Sequence, residues 1–171
     1  MKNDDVIITS AFRTAIGAFR GSLKGMQAHD LGALTATAVM QKSNLNPNDV
    51  DELIMGQVLT GATGQNPARQ AAILAKMPVE KTAYVINQVC GSGLRSVAAG
   101  YQAIMCNDSK IIIAGGQESM TNAPHAIYFR DGEKLDETKL IDTMIKDGLW
   151  DAFNGYHMGV TAENVAAKWQ I

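Results

Sequence analysis

Cysteine is scarce in this chain: Cys90 and Cys106 are the two among 171 residues, and no C-x-x-C spacing joins them. That argues against a disulfide framework or a structural zinc site, and makes a reducing cytosol the default compartment. No Lys/Arg cluster stands out, and the formal net charge is −2. The balance argues against nucleic acid or an anionic membrane as the main partner. The opening "MKNDDVIITS" lacks the apolar stretch and small-residue cleavage site of a secretory signal. No uninterrupted apolar run is long enough to span a bilayer. No internal repeat or low-complexity segment is present.

What is present is an alternation. Four β-branched runs, Val6–Ser10, Glu52–Leu59, Thr82–Asn87 and Lys110–Gly116, read as strands. "KIIIAGG" is apolar without alternation, as expected of a strand covered on both faces. Helix-period segments lie between. Leu31, Leu34 and Ala38 mark the first. Asn66 is positioned to cap the second, with Pro67 at its first position and Ala68, Ala71, Ala72 and Ala75 following. Leu94, Val97, Ala98, Tyr101 and Met105 mark the third, and Asn107-Asp108 ends it. This order predicts an α/β fold with a largely parallel sheet and covering helices.

After Gly116 the chain becomes polar and loses its period. Leu140, Ile141, Met144 and Ile145 suggest one short helix, and "DGLWDAFNGYHMG" reads as loop. Thr161 is a candidate cap for a last helix, with Glu163 near its positive end and the helix pattern running on to Ile171. The expected division is a sheet domain over residues 1–119 and the opening of an excursion over residues 120–171, with the fold left incomplete at the C-terminus.

The chemistry centres on "INQVCGSGLRSV", which places Cys90 between a strand and a helix. Three readings compete. Free cysteine is among the most buried residue types, so Cys90 can be a small core residue; Cys106, beside Met105 at a helix end, fits that description. Gly91 and Gly93 suit a phosphate cradle, with Glu118 on a ribose. The third glycine of a dinucleotide fingerprint is absent, however, and the turn follows the third strand. Alternatively, Cys90 is a nucleophile held proud of the sheet on a sharp turn. Glycines then permit close approach, and the helix start favours thiolate and offers N–H donors to an oxyanion. Spacing leaves the nucleophile and the buried cysteine both open.

"NQVCGSGLRSV" resembles the nucleophile motif of the thiolases, the acetyl-CoA acetyltransferases. So do "VIITSAFRTAIGAFRGSL", "VDELIMGQVLTGATGQNPARQAAILAKMP", "IAGGQESMTNAPH" and "DGLWDAFNGYHMGVTAENVA", in the family's order and over nearly the whole chain. The resemblance implies the N-terminal half of a thiolase-like αβαβα layered architecture. It implies that Cys90 takes the acetyl group from acetyl-CoA as a thioester, and that its backbone N–H is one oxyanion-hole donor. "GYHMG" is similar to the biosynthetic, short-chain form, in which Met158 and His157 would line the acyl and pantetheine pocket. The implied reaction is the reversible condensation of two acetyl-CoA to acetoacetyl-CoA and coenzyme A in the cytoplasm. No metal and no bound cofactor is implied, and coenzyme A enters as substrate. The segment Thr121–Leu140 looks like the loop that pairs dimers into homotetramers. Tyr84–Asn87 resembles the strand that pairs with its own copy.

The departure from the family is one of extent. The chain corresponds to less than the first of two similar halves plus the inserted loop. The catalytic histidines, second cysteine and oxyanion-hole asparagine of the family lie in the second half and match nothing here. His29 at a helix start, His125 in a loop and Glu118 are expected to be structural or solvated, and Arg69 and Arg95 to be surface or interface residues. A degradative 3-ketoacyl-CoA thiolase and a non-catalytic fragment or assembly module are the rival expectations.

Overall fold

A computed structural model describes residues 5–130, 132 and 139–171. The chain divides into two compact units, Met1–Asn122 and Ala123–Ile171.

The first unit is built on a parallel three-stranded sheet. Its strands are β1 (Glu52–Gly56), β2 (Thr82–Ile86) and β3 (Ile112–Gly116), in the order β2-β1-β3. The register is flush: Glu52 lies level with Thr82 and Ile112, and Gly56 with Ile86 and Gly116. Central β1 reads "ELIMG" without alternation because both of its faces are covered; Leu53, Ile54 and Met55 are buried. Leu53 and Met55 share one face and join Ile113 in a core with α1 (Ala28–Lys42) and α2 (Pro67–Leu74). The helices contribute mainly small side chains: Ala33, Ala36 and Met40 from α1, and Ala68, Ala71 and Ala72 from α2. The opposite face carries α3 (Ser92–Met105), whose Gly100 would meet Ile112 and Ala114 if it bore a Cβ.

Local signals set several boundaries. The Asn66 side chain accepts from the Arg69 N–H (3.1 Å) and Pro67 opens α2, as its sequence predicts. Asn107, with φ +62°, ends α3; its N–H donates to Ile104 O (3.0 Å) and that of Asp108 to Ala103 O (3.0 Å). Asp51 fastens the lower end of the sheet. Its carboxylate accepts from the N–H groups of Lys110 (2.8 Å) and Ile111 (3.1 Å) and from Lys81 Nζ (3.2 Å). Arg69 bonds the carbonyls of Val79 and Lys81. It thus ties the loop before β2 to α2, and is more than the surface or interface residue expected.

Other expectations need correction. Val6–Ser10 is not a strand, and Ile7 and Ile8 are 73% and 79% exposed. β-branched composition signals fitness for a pleated, half-buried surface but cannot supply a neighbouring strand. The buried face of α3 is Ser92, Ser96 and Gly100, while Leu94, Val97, Tyr101 and Met105 are exposed. The helix lies too close to the sheet for large side chains. Likewise α1 buries Ala28, Gly32, Ala33, Ala36 and Met40 and leaves Leu34 exposed.

In the second unit β4 (His125–Ala126) pairs antiparallel with β5 (Ile141–Asp142). Thr143 reinforces the pair, its N–H and hydroxyl both donating to Pro124 O (3.2 and 2.6 Å). Ile141 is therefore in a strand and not in the expected short helix; a π-helical turn spans Met144–Leu149. Of the expected loop, Asp147–Leu149 lies in that turn, whereas Asp151 organises the next stretch by accepting from Phe153 N (2.8 Å), Asn154 N (2.9 Å) and Asn154 Nδ2 (2.8 Å). α4 spans Met158–Trp169 and is capped by His157, not Thr161. Left-handed Gln170 (φ +55°) closes it, where the sequence pattern ran on to Ile171. Within the expected Thr121–Leu140 loop, residues 131 and 133–138 lie outside the described residues.

Candidate active site

The upper ends of the strands form the platform. Gln57 N–H donates to Ile86 O (3.0 Å) and Gln117 N–H to Gly56 O (2.9 Å), continuing the ladder one residue past the strands. The two glutamine side chains are buried and joined, Gln117 Nε2 donating to Gln57 Oε1 (2.8 Å) and Gln57 Nε2 to Leu59 O (2.8 Å). Glu118 follows, its carboxylate accepting from Val58 N (2.8 Å) and Leu59 N (3.1 Å). Burial pushes the Glu118 carboxyl above its ordinary range, against the opposing pull of those two N–H groups. Both oxygens are engaged in holding the chain after β1, in keeping with the structural role expected.

The first turn of α3 rests on this platform with backbone against backbone. A Cβ on Gly56 would lie 2.5 Å from Gly93 N, and one on Gly116 would lie 3.4 Å from Gly93 Cα. Ser96, buried beneath, holds its hydroxyl within hydrogen-bond distance of both Gly93 O (2.6 Å) and Gly115 O (2.7 Å), either of which can accept its proton. The glycines of the motif thus serve close packing of helix on sheet.

Between β2 and α3 the chain makes one tight turn. Val89 sits at φ +49°, a left-handed conformation that is an outlier for a β-branched residue. Its N–H donates to Asn87 Oδ1 (2.9 Å). The Gln88 N–H donates to Ser92 Oγ (2.8 Å), and the Ser92 hydroxyl donates to Val89 O (2.6 Å). Gly91 N–H donates to Gln88 O (3.1 Å) and Ser92 N–H to Val89 O (3.1 Å). The sequence placed free helix-start N–H groups near Gly91, but those two are consumed by the turn. The Cys90 N–H is the member of the Gln88–Ser92 run that finds no acceptor among the described residues.

Cys90 is exposed on this turn, which removes the buried-core reading. Cys106 is exposed as well, contrary to the core position expected of it; it is the C-cap of α3, beyond the face that meets the sheet. Asn87, Ser92, Gln57 and Gln117 were not singled out from the sequence. A polar residue breaking the apolar run in "LIMGQVL", and a serine four residues after Gln88, were the available signals.

The remaining candidates are placed as follows. His157, in the second unit, accepts from the Gly159 N–H at Nδ1 (3.0 Å), and Met158 opens α4 half-buried. His29 Nε2 lies 3.7 Å from Asp30 Oδ1, and His125 Nε2 lies 4.0 Å from Asp142 Oδ2 across β4 and β5. Among the described residues no three His, Cys, Asp or Glu side chains gather as metal ligands, and no helix is long and apolar enough to cross a membrane.

Residues 6–171 match the family described as thiolase, N-terminal domain. The chain is 58% identical over 165 residues to an acetyl-CoA acetyltransferase of Paracoccus denitrificans, covering 96% of this chain and 42% of that protein. It is 56% identical over 171 residues to one of Rhizobium meliloti (strain 1021), covering 100% and 44%. It is 50% identical over 168 residues to a probable acetyl-CoA acetyltransferase of Escherichia coli (strain K12), covering 98% and 43%. The chain therefore spans less than half the length of these relatives. With a family match running from Val6 to its last residue, the chain belongs to the thiolase family through that family's N-terminal domain.

Proposed function

We propose that the protein carrying this chain is an acyltransferase that condenses two acetyl-CoA molecules to acetoacetyl-CoA and coenzyme A, reversibly, through an acetylated Cys90. The observation that carries this reading is the exposed thiol of Cys90 on a clamped turn whose own N–H is left without an acceptor among the described residues. Relatives named acetyl-CoA acetyltransferase support the choice of substrate.

In the first half-reaction the Cys90 sulfur attacks the carbonyl carbon of acetyl-CoA. The tetrahedral oxyanion takes a bond from the Cys90 N–H, and the C–S bond to coenzyme A breaks with the thiolate leaving. In the second half-reaction another acetyl-CoA gives up an α-proton to a base. Its carbanion attacks the thioester carbon, and the Cys90 thiolate is released with acetoacetyl-CoA. The base and the enolate donors lie outside these 171 residues, so the chain by itself is expected to lack turnover.

Residues 1–119 act as the sheet domain and 120–171 as the start of the inserted loop domain, with His157 and Met158 lining the acyl and pantetheine pocket. The chemistry runs in the cytoplasm with no metal or bound redox cofactor. Edge strand β2 pairs with a second copy, and the Thr121–Leu140 segment joins dimers into a homotetramer.

The test is thiolysis of acetoacetyl-CoA by the complete gene product beside its Cys90→Ser variant, with peptide mass mapping after exposure to acetyl-CoA. Acetyl on the Cys90 peptide and loss of turnover in Cys90→Ser are expected. Acetylation elsewhere with full turnover in the variant would overturn the reading.

A further inference from the structure

We infer that Ser92 is a positioning residue for this chemistry: its hydroxyl holds the Gln88–Gly91 turn in the conformation that leaves the Cys90 N–H open to an oxyanion. The inference rests on the proposed role of Cys90 and adds a residue to which that role assigns nothing.

Three observations carry it. Val89 is left-handed although β-branched, so the conformation needs support from its surroundings. Ser92 supplies that support on both sides of Val89: its Oγ accepts from the Gln88 N–H at 2.8 Å and donates to the Val89 carbonyl at 2.6 Å. Ser92 itself has no freedom to drift, being 4% exposed, with its backbone against Gly56. Asn87 adds a bond to the Val89 N–H from the other end. If Val89 relaxed to a right-handed or extended conformation, the peptide between Val89 and Cys90 would rotate. The Cys90 N–H, which meets no acceptor among the described residues, would then point elsewhere, while the sulfur stayed at the surface. Thiol access and oxyanion support would come apart.

The experiment is steady-state kinetics on the complete gene product, with Ser92→Ala, Ser92→Thr and the Val89→Gly/Ser92→Ala double variant beside Cys90→Ser. Ser92→Ala should lower kcat on the order of tenfold or more while leaving KM for acetoacetyl-CoA within about twofold, the pattern of a lost transition-state interaction. Its Cys90 should still be alkylated by iodoacetamide. Ser92→Thr, which keeps the hydroxyl, should retain more kcat than Ser92→Ala. The double variant should recover much of the loss, because glycine adopts positive φ without help. A role confined to packing would not respond to Val89→Gly. Equal kcat in wild type and Ser92→Ala, with Cys90→Ser inactive, would overturn the inference alone. So would a loss rescued by neither threonine nor Val89→Gly. Should Ser92→Ala fail to fold, the double variant decides: folded and active supports the inference, unfolded overturns it. Full turnover by Cys90→Ser would remove the reading beneath it.

Discussion

A Cβ placed on Gly56 would lie 2.4 Å from the backbone carbonyl carbon of Ser92. The end of the central strand and the start of the helix after the Cys90 turn therefore touch without side chains between them. Gly56→Ala is expected to force this contact apart. The atoms it would meet, Ser92 C and O and Gly93 N, are backbone and cannot swing aside, so the cost should be about 1–3 kcal/mol or more. A lowered unfolding midpoint in denaturant, together with loss of acetyl transfer to Cys90, is the outcome to measure. An unchanged midpoint would mean that the helix start yields more easily than its packing indicates.

Asp51 should govern part of the acid sensitivity of the first unit. The N–H groups of Lys110 and Ile111, with Lys81 adding its charge, hold its carboxyl below the ordinary range. A carboxyl with a depressed folded pKa contributes stability above its unfolded value of about 4, and this is lost as pH falls through the folded value. Asp51→Asn should therefore flatten the stability profile below about pH 4 and lower stability at neutral pH. Chemical denaturation at a series of pH values checks both.

Glu118 should show the opposite sign. Its folded pKa is raised by burial, so its contribution is fully present below the unfolded value and falls as pH rises through the folded one. Glu118→Gln should remove that decline. It should also cost about 1–3 kcal/mol where Glu118 is ionised, because the amide NH2 would replace one of the two oxygens and face the Val58 or Leu59 N–H donor to donor. The same pH series, run beside Asp51→Asn, separates the two limbs.

The two exposed thiols should differ in function and not in access. Iodoacetamide is expected to reach both Cys90 and Cys106 in folded protein, since both are exposed. Prior incubation with acetyl-CoA should protect Cys90 alone, and Cys106→Ser should retain wild-type turnover. Peptide mapping of the labelled protein reads the first outcome, and thiolysis rate the second.

What the sequence made legible was local or continuous. The Asn66-Pro67 cap, the β-branched runs at β1, β2 and β3 and the strand-to-helix turn at Cys90 each carry their signal within a few residues. What it concealed depends on distant partners. Val6–Ser10 has strand composition but no strand beside it among the described residues. The face of α3 was misassigned because periodic Leu94, Val97 and Tyr101 outweighed Ser92, Ser96 and Gly100, whose burial follows from how near the sheet lies. The same proximity explains why Ser92 escaped attention. In "CGSG" a serine reads as part of a flexible turn, and only the folded chain places its hydroxyl between Gln88 and Val89.

Among the described residues, none of the bonds that fasten the Gln88–Ser92 turn uses the Cys90 side chain. The scaffold is consequently indifferent to what residue 90 carries, so the position can be rewritten without rebuilding its surroundings. A variant with serine or alanine at residue 90 would keep the same backbone pose and present an intact but unreactive cradle. On the proposed function, such a protein would serve to trap an unreacted acyl-CoA for crystallography, and to weigh how much of its affinity is due to the fold and how much to sulfur.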